Sequence, residues 1–81
     1  MVESENTVNK IIEKVTGITS INPAESLKSS GISSLNLLMI LDAIEEKLQI
    51  RIPDEELIMS NFETINCINR LIEKIQQIEN N

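Results

Sequence analysis

The sequence contains no histidine, tryptophan or tyrosine, and it has one phenylalanine and one cysteine. Without histidine, the chain lacks the usual general base for a serine or cysteine nucleophile and the commonest nitrogen ligand for zinc. The single cysteine, Cys67, cannot form an internal disulfide, and an inert thiol, packed or partly exposed, is the simplest interpretation of it. We therefore predict no catalytic residue and no metal site, and we do not expect the protein to be an enzyme.

Basic residues are also scarce. Seven lysines and arginines stand against thirteen aspartates and glutamates, which gives a formal net charge of −6 at pH 7. This charge repels phosphate backbones and supplies no basic stripe of the kind that nucleic-acid-binding domains present. A nucleic-acid partner is therefore disfavoured, and partner proteins with basic surfaces are favoured.

Targeting and membrane signals are lacking as well. The first residues, Met1-Val2-Glu3-Ser4-Glu5, have neither the basic start nor the apolar run of a signal peptide. No apolar stretch approaches the length that crosses a membrane. We expect a cytoplasmic protein without membrane insertion.

Aliphatic residues are abundant. Of the 81 residues, 41% are hydrophobic, and isoleucine and leucine account for most of these. No composition shift marks a boundary, so residues 1–81 are predicted to form a single domain with an aliphatic core that is only just large enough for this length. The small size and the acidic surface favour a monomer.

The spacing of the apolar residues predicts helices. Residues 5–15 repeat them at intervals of three and four, and Gly17 suits the end of that helix. A long loop, residues 17–33, follows, and we expect four aliphatic anchors to pin it to the core. A second helix is predicted from about Ser34 to Leu48 with Ser33 as its N-cap. The anchors are Ile18, Ile21, Leu27 and Ile32, and the core face of the second helix is Leu37, Ile40, Leu41, Ile44 and Leu48.

Two further helices are predicted in the second half of the chain. Pro53-Asp54-Glu55-Glu56 is a helix start that leads into a short helix through residues 57–59. Thr64 is the predicted N-cap of the last helix. The last helix is expected to place Ile65, Ile68, Leu71, Ile72 and Ile75 inward and Asn69, Arg70, Glu73 and Lys74 outward. The fold class is therefore all-α, a four-helix bundle with three longer helices and one short helix.

Ser34 lies where the long loop meets the second helix, directly after Gly31-Ile32-Ser33. A hydroxyl there is presented at the positive end of the helix dipole, which favours an attached phosphodiester. The alternative is that Ser33 and Ser34 only cap the helix, since serine leads the N-cap preferences. The serine pair by itself does not decide between them.

Several segments in the same order resemble the acyl carrier protein family. They are GISSL at residues 31–35, LDAIEEKL at 41–48, IPDEEL at 52–57 and FETI at 62–65. The resemblance covers residues 7–76. It implies a four-helix bundle of acyl-carrier type in which Ser34 receives a covalent 4′-phosphopantetheine arm from coenzyme A.

By the same resemblance, the function is that of a stand-alone carrier protein. Its arm would hold an acyl or aminoacyl group as a thioester and present it to partner enzymes, in a dedicated biosynthetic pathway for a fatty acid, a polyketide or a related natural product. The implied partners are a phosphopantetheinyl transferase and the enzymes that load and process the cargo. The resemblance and the branched aliphatic content also suggest a cargo pocket among Ile40, Ile44, Ile58, Ile68 and Ile72.

The outward face of the second helix is the candidate docking surface for these partners. Its first two turns are apolar although they point away from the core, and its later positions are acidic. The candidate residues are Ser33, Leu35, Asn36, Leu38, Met39, Asp42, Glu45 and Glu46. An alternative is that the apolar ones are ordinary surface residues.

The sequence departs from the family pattern in two ways. Ser33 stands where the family usually has aspartate, and Asn36 and Met39 stand where its docking helix tends to be acidic. Ser33 can cap the helix but lacks the charge that modifying enzymes contact. The departure leaves open an alternative function, that of a helical adaptor with the carrier fold that is never modified.

Overall fold

The computed structural model describes residues 2–19 and 21–80, and it describes side chains for residues 7–19 and 21–78. No strand occurs within these ranges. The predicted all-helical fold is confirmed, with three helices and, in place of the short helix, two single 3₁₀ turns. The elements are α1 (Val2–Thr16), α2 (Ser34–Leu48), a first 3₁₀ turn (Asp54–Glu56), a second 3₁₀ turn (Met59–Phe62) and α3 (Ile65–Asn80).

The first helix packs against both α2 and α3. It ends as predicted, because Gly17 takes a φ of +78°, which glycine adopts without steric cost. The amide of Gly17 donates to the carbonyl oxygen of Glu13 at 2.8 Å, which closes the last turn. Helix α2 begins and ends at the predicted residues.

The core is aliphatic, with Phe62 as its one aromatic member among the described residues. Four of the five residues on the predicted core face of α2 are buried, and the fifth, Leu48, is half-buried against the core. The five predicted inward residues of α3 are also buried. Full burial of one such side chain is worth about 1.5–3 kcal/mol, so a small domain can reach net stability on isoleucine and leucine alone. None of the helices in the described ranges is long and apolar enough to span a membrane.

Asn69 contradicts the prediction that it points outward. Its side chain is 8% exposed, and its Oδ1 has no hydrogen-bond partner among the described residues. The reason is helical periodicity, since Asn69 follows Ile65 by four positions and precedes Ile72 by three, which places it on the buried face. Its polar type suggested a surface position that its spacing does not allow.

The long loop is pinned as predicted. Leu27 and Ile32 are buried, and Ile18 and Ile21 pack partly buried against the same core. The amide of Leu27 donates to the carbonyl of Glu63 at 2.8 Å. The loop is therefore bonded to the chain segment that leads into α3.

The short helix predicted through residues 57–59 is replaced by two 3₁₀ turns, and residues 57 and 58 between them are not helical. Leu57 has φ −83° and ψ 62°, an inverse γ-turn, and the amide of Ile58 donates to the carbonyl of Glu56 at 2.9 Å. The Asn61 side-chain amide also donates to that carbonyl, at 2.8 Å, so the oxygen is not available to continue a helix. Residues 57 and 58 consequently run outside any helix, between the two 3₁₀ turns.

We predict that Asn69→Leu stabilises the protein, because an unpaired buried polar atom is replaced by a side chain of similar volume. The free energy of unfolding should rise by about 1 kcal/mol, which corresponds to about 4–8 °C in Tm for a domain of this size. Urea and thermal denaturation measure both. Asn66→Leu, an exposed position on the same helix, is the control and should stay within about 0.5 kcal/mol. Destabilisation by Asn69→Leu would show that its amide has a partner.

Candidate functional site at the start of the second helix

Ser33 and Asn36 form a capping box at the start of α2. Ser33 Oγ accepts from the Asn36 amide at 3.1 Å and donates to Asn36 Oδ1 at 3.0 Å. The hydroxyl of Ser34 has no hydrogen-bond partner within the described residues, and the residue is exposed. The cap therefore depends on Ser33, and Ser34 is not needed for it.

The backbone that leads to Ser34 is held by a tight turn. The amide of Gly31 donates to the carbonyl of Lys28 at 3.2 Å, and the amide of Ile32 donates to that of Leu27 at 3.1 Å. Gly31 has a φ of +95°, a conformation that other residues adopt only with strain. With Ile32 buried on one side, the hydroxyl of Ser34 is presented from a fixed position.

A cleft of about 240 Å³ borders Ser34 between the long loop, the first turn of α2 and the second 3₁₀ turn. Its floor is apolar and buried, and its rim is exposed. One side of the rim is basic and another is acidic, so the cleft offers charge of both signs next to the hydroxyl. The floor includes Leu27, Leu37 and Phe62, and the rim includes Lys28, Met59 and Glu63.

The outward face of α2 is arranged as predicted. Leu35, Leu38 and Met39 are 48–67% exposed, and Asp42 and Glu46 are exposed further along the helix. These five residues are free to meet a partner. The structure gives the other candidates internal contacts, since Ser33 and Asn36 cap the helix and Glu45 Oε2 accepts from the Ile52 amide at 2.7 Å.

Sequence reasoning missed a second apolar segment beside this face. Residues 57–59 are 46–60% exposed. Leu57 lines a groove with Leu38, and Met59 lines the cleft with Ser34, so the segment follows α2 on the side of the serine. Consecutive residues on a helix point in different directions, so three large apolar residues in a row cannot all face one core. That run of three was the available signal.

The connector is the segment between α2 and α3, residues 49–64. The groove between α2 and this connector has a volume of about 930 Å³. Apolar side chains form part of its lining, and the acidic residues on it outnumber the one basic residue, Arg51. Such a groove suits a partner element with an apolar stripe and basic flanks. Its carboxylates are Asp42, Glu45, Glu46, Asp54 and Glu55.

The predicted cargo pocket is not assembled. Four of its five residues are buried in the core at 1% exposure or less, but Ile58 is exposed on the surface. The inverse γ-turn at Leu57 is the cause, because it turns the chain out of the helix that was expected to place Ile58 inward. Enlarging Ile58 would therefore not test a cargo pocket.

An ion pair anchors the connector that contains residues 57–59. Lys74 Nζ donates to Glu56 Oε2 at 2.8 Å, and Asn61 Nδ2 donates to Glu56 Oε1 at 3.2 Å. The hydrogen bond from Lys74, helped by its charge and by Asn61, outweighs desolvation and lowers the pKa of Glu56 below its ordinary value. The two 3₁₀ turns are in this way fastened to α3.

Cys67 is half-buried, and its amide donates to Thr64 Oγ1 at 3.1 Å, which confirms Thr64 as the cap of α3. Within the ranges that the structure describes, no three cysteine, aspartate or glutamate side chains gather in a way that could hold a metal ion. The exposed hydroxyl of Ser34 is therefore the candidate functional group of this site.

Comparisons with known proteins give the family and the fold of the chain. A family model described as phosphopantetheine attachment site matches residues 6–75. Among solved structures, the chain is similar to the carrier protein in a crystal structure of Bradyrhizobium japonicum glycine:[carrier protein] ligase with its cognate carrier protein and an analogue of glycyl adenylate. The TM-score is 0.74 at 20% identity over 91% of this chain and 99% of that chain, which shows a shared fold. The comparison with curated protein sequences finds no match.

We predict that Ser33→Asp stabilises the protein and Ser33→Ala destabilises it. Aspartate keeps a side-chain acceptor for the Asn36 amide and adds negative charge at the positive end of α2, which is worth roughly 0.3–1 kcal/mol. Alanine loses the cap and should cost about 1 kcal/mol. Urea denaturation measures both changes. Ser29→Asp, in the exposed turn before α2, is the control, and an equal gain there would show that the effect is not specific to the cap.

We predict that Glu56→Gln makes stability less dependent on acidic pH. The folded-state pKa of Glu56 is lowered, so its contribution is present above the ordinary glutamate pKa of about 4.3 and is lost as the pH falls through the folded value. Glutamine keeps the shape but cannot titrate. Urea denaturation at pH values on both sides of this window measures the difference.

The matched control for Glu56→Gln is Glu55→Gln, an exposed neighbour in the same 3₁₀ turn. It should leave the pH dependence of the parent unchanged. If Glu56→Gln kept the full pH dependence, the ion pair with Lys74 would not be formed in solution.

Proposed function

Because this chain belongs to the phosphopantetheine attachment site family, we propose that Ser34 is the residue that is modified and that the protein presents a thioester-linked cargo to other enzymes. Members of this family are carrier domains that receive 4′-phosphopantetheine covalently. The match covers residues 6–75, most of the chain. Its location in the sequence includes Ser34 and the whole of α2.

The observation that best supports Ser34 is its free, exposed hydroxyl beside a cap that Ser33 completes alone. In the proposed modification, Ser34 Oγ loses its proton and forms a phosphodiester bond, and the adenosine 3′,5′-diphosphate part of coenzyme A leaves. The new negative charge would lie at the positive end of α2, where it is favoured. When attached, the arm supplies the reach and the terminal thiol that holds the cargo.

The chain's own task, in this proposal, is recognition and presentation without catalysis. The sequence has no histidine, and Ser34 has no side chain of the described residues placed as its base. The residues around it instead fix the backbone and leave the hydroxyl accessible. A cytoplasmic monomer fits this role, because partner enzymes must reach the serine in turn.

Partner enzymes would dock on the apolar face of α2 and on residues 57–59 beside it. Leu35, Leu38 and Met39 lie on the exposed face of α2, in the turns that follow Ser34. Leu57 extends this apolar surface across the groove that it lines with Leu38. Acidic residues border it, so partners are expected to bring basic residues. A phosphopantetheinyl transferase would be the first partner, followed by loading and processing enzymes.

We infer that the cargo is an acyl or aminoacyl group in a dedicated biosynthetic pathway. Support for aminoacyl loading comes from the similar carrier protein, whose structure was solved with a glycine ligase and an analogue of glycyl adenylate. Support against a buried long acyl chain comes from the core, where Ile40, Ile44, Ile68 and Ile72 are at most 1% exposed and Ile58 does not join them. A short or polar cargo therefore suits the chain better than a fatty acid or a long polyketide.

We predict that the purified chain, incubated with coenzyme A and a broad-specificity phosphopantetheinyl transferase, gains the mass of one phosphopantetheinyl group. Intact-protein mass spectrometry measures the gain, and peptide mapping locates it. Ser34→Ala should gain nothing, while Ser33→Ala should still be modified because its hydroxyl serves the cap. Modification of the Ser34→Ala chain would contradict the assignment of the site.

Absence of any gain, also with a transferase from the same organism, would support the adaptor function instead. An adaptor should tolerate Ser34→Ala and lose its partner on Leu38→Glu or Met39→Glu. A carrier should lose its function with Ser34→Ala. The observation that keeps the adaptor in view is Ser33, which caps α2 without the charge of an aspartate.

A further inference from the structure

We propose that Lys28 is the cationic contact for the phosphodiester of the arm, and that the cleft beside Ser34 seats the part of the arm nearest to the protein. This inference rests on the attachment at Ser34 proposed above. It assigns a role to a loop residue that neither the sequence pattern nor the docking surface involves. Lys28 and Ser34 line the same cleft from opposite elements, the long loop and α2.

The backbone of Lys28 is fixed relative to Ser34. Its carbonyl accepts from the Gly31 amide at 3.2 Å, and its neighbour Leu27 is buried and bonded to the Glu63 carbonyl at 2.8 Å. Only five residues of tightly bonded turn separate Lys28 from Ser34. The lysine side chain therefore starts from a defined place on the cleft rim, with only its own rotamers left to adjust.

The charge around the cleft singles out this lysine. It is the only basic residue between Lys14 and Lys47 in a chain of net charge −6. Within the part of the chain that the structure describes, the one salt bridge joins Lys74 to Glu56, so the Lys28 ammonium has no carboxylate partner there. A phosphodiester on Ser34 would add an anion to the cleft that Lys28 lines, at the end of α2 whose dipole favours one.

The remainder of the cleft matches the next part of the arm. After the phosphodiester, a pantetheine arm has an apolar dimethyl group and then amides. The cleft has an apolar floor that includes Leu37 and Phe62, an exposed Met59 at its edge, a polar group from Ser26, and the carboxylate side chain of Glu63 on its rim. At about 240 Å³ it is smaller than the roughly 300–1,000 Å³ of pockets that enclose drug-sized ligands.

The cleft would therefore hold the first part of the arm and leave the thiol and its cargo outside. Because Lys28 is exposed, its contact with the phosphodiester is expected to be weak and sensitive to salt. The arm would rest in the cleft for part of the time and leave it when a partner enzyme docks. By binding the first part of the arm, the cleft would favour one direction in which the arm extends from the protein. It would not enclose the cargo.

The experiment uses two-dimensional NMR to compare ¹⁵N-labelled apo protein with protein that carries the phosphopantetheine arm but no cargo. Attachment of the arm, called loading in this experiment, is verified by intact mass. In the parent, attachment of the arm should shift the amide signals of residues 26–28 in the long loop and of residue 63 before α3, all of which lie outside α2. Lys28→Gln should reduce these shifts by roughly two- to five-fold, the range that exposed ion pairs support. Lys47→Gln, an exposed lysine in the last turn of α2, is the matched control and should reduce none.

Salt gives a second readout on the same samples. Raising the ionic strength to about 1 M, where the Debye length is about 3 Å, should reduce the shifts at residues 26–28 in the parent and have little effect in Lys28→Gln. The ³¹P linewidth of the phosphodiester should narrow in Lys28→Gln, because the group then moves more freely. Neither readout depends on the activity of the loaded carrier.

Three results would overturn the inference, and each has a different meaning. Loading that shifts only the amides next to Ser34, equally in the parent and in Lys28→Gln, would refute the seat and leave the carrier function intact. Failure to load, with the mass unchanged, would refute the attachment site and the seat together. Equal reductions in Lys28→Gln and Lys47→Gln would show a general charge effect and would also refute the specific contact.

Discussion

The hydrogen bond from the Leu27 amide to the Glu63 carbonyl joins the long loop to the segment that leads into α3. Leu27 is buried, so breaking this bond would leave a buried amide unpaired, which costs more than the bond itself contributes. The bond places the turn at Lys28 and Gly31 against the second 3₁₀ turn and so forms the cleft. This connection between distant parts of the chain holds the loop wall of the cleft beside Ser34, while the packing of α2 against α1 sets the direction of the helix.

Helix α2 carries apolar residues on two faces, one buried in the core and one exposed. Its inner face supplies Leu37, Ile40, Leu41 and Ile44 to a core without tryptophan or tyrosine, while its outer face exposes Leu35, Leu38 and Met39. In a domain of 81 residues, those exposed side chains would add stability if they were buried. They remain exposed beside the similarly exposed residues 57–59, and this exposure supports the docking surface proposed above.

The parts of the fold that depend on local periodicity could be predicted from the sequence. Helix α2, its Ser33 cap, the Thr64 cap and the aliphatic core are all properties of near neighbours along one helix. The 3₁₀ turns could not be predicted, because they depend on Asn61 bonding back to the Glu56 carbonyl and on the ion pair with Lys74, eighteen positions away. Asn69 was misplaced because residue type was given more weight than spacing.

The candidate site divides in the same way. Ser34 was predicted from its position at a helix start and from the family resemblance, both of which are features of contiguous sequence. Lys28, Met59 and Glu63 could not be linked to it, because only the folded loop brings them to one cleft. The site as a whole is therefore a tertiary feature, although its central residue is a local one.

Ser33 shows that capping and charge are separable at the start of α2. The family usually has aspartate here, and such a carboxylate caps the helix while placing a negative charge beside the modified serine. Ser33 keeps the cap through Asn36 and carries no charge, so a phosphodiester on Ser34 would meet no like charge from its preceding residue. The attraction of the helix dipole and of Lys28 would then be opposed in the cleft by the carboxylate of Glu63 and not also by residue 33. Ser33 also offers a modifying enzyme no charge at this position, where a family aspartate would offer one.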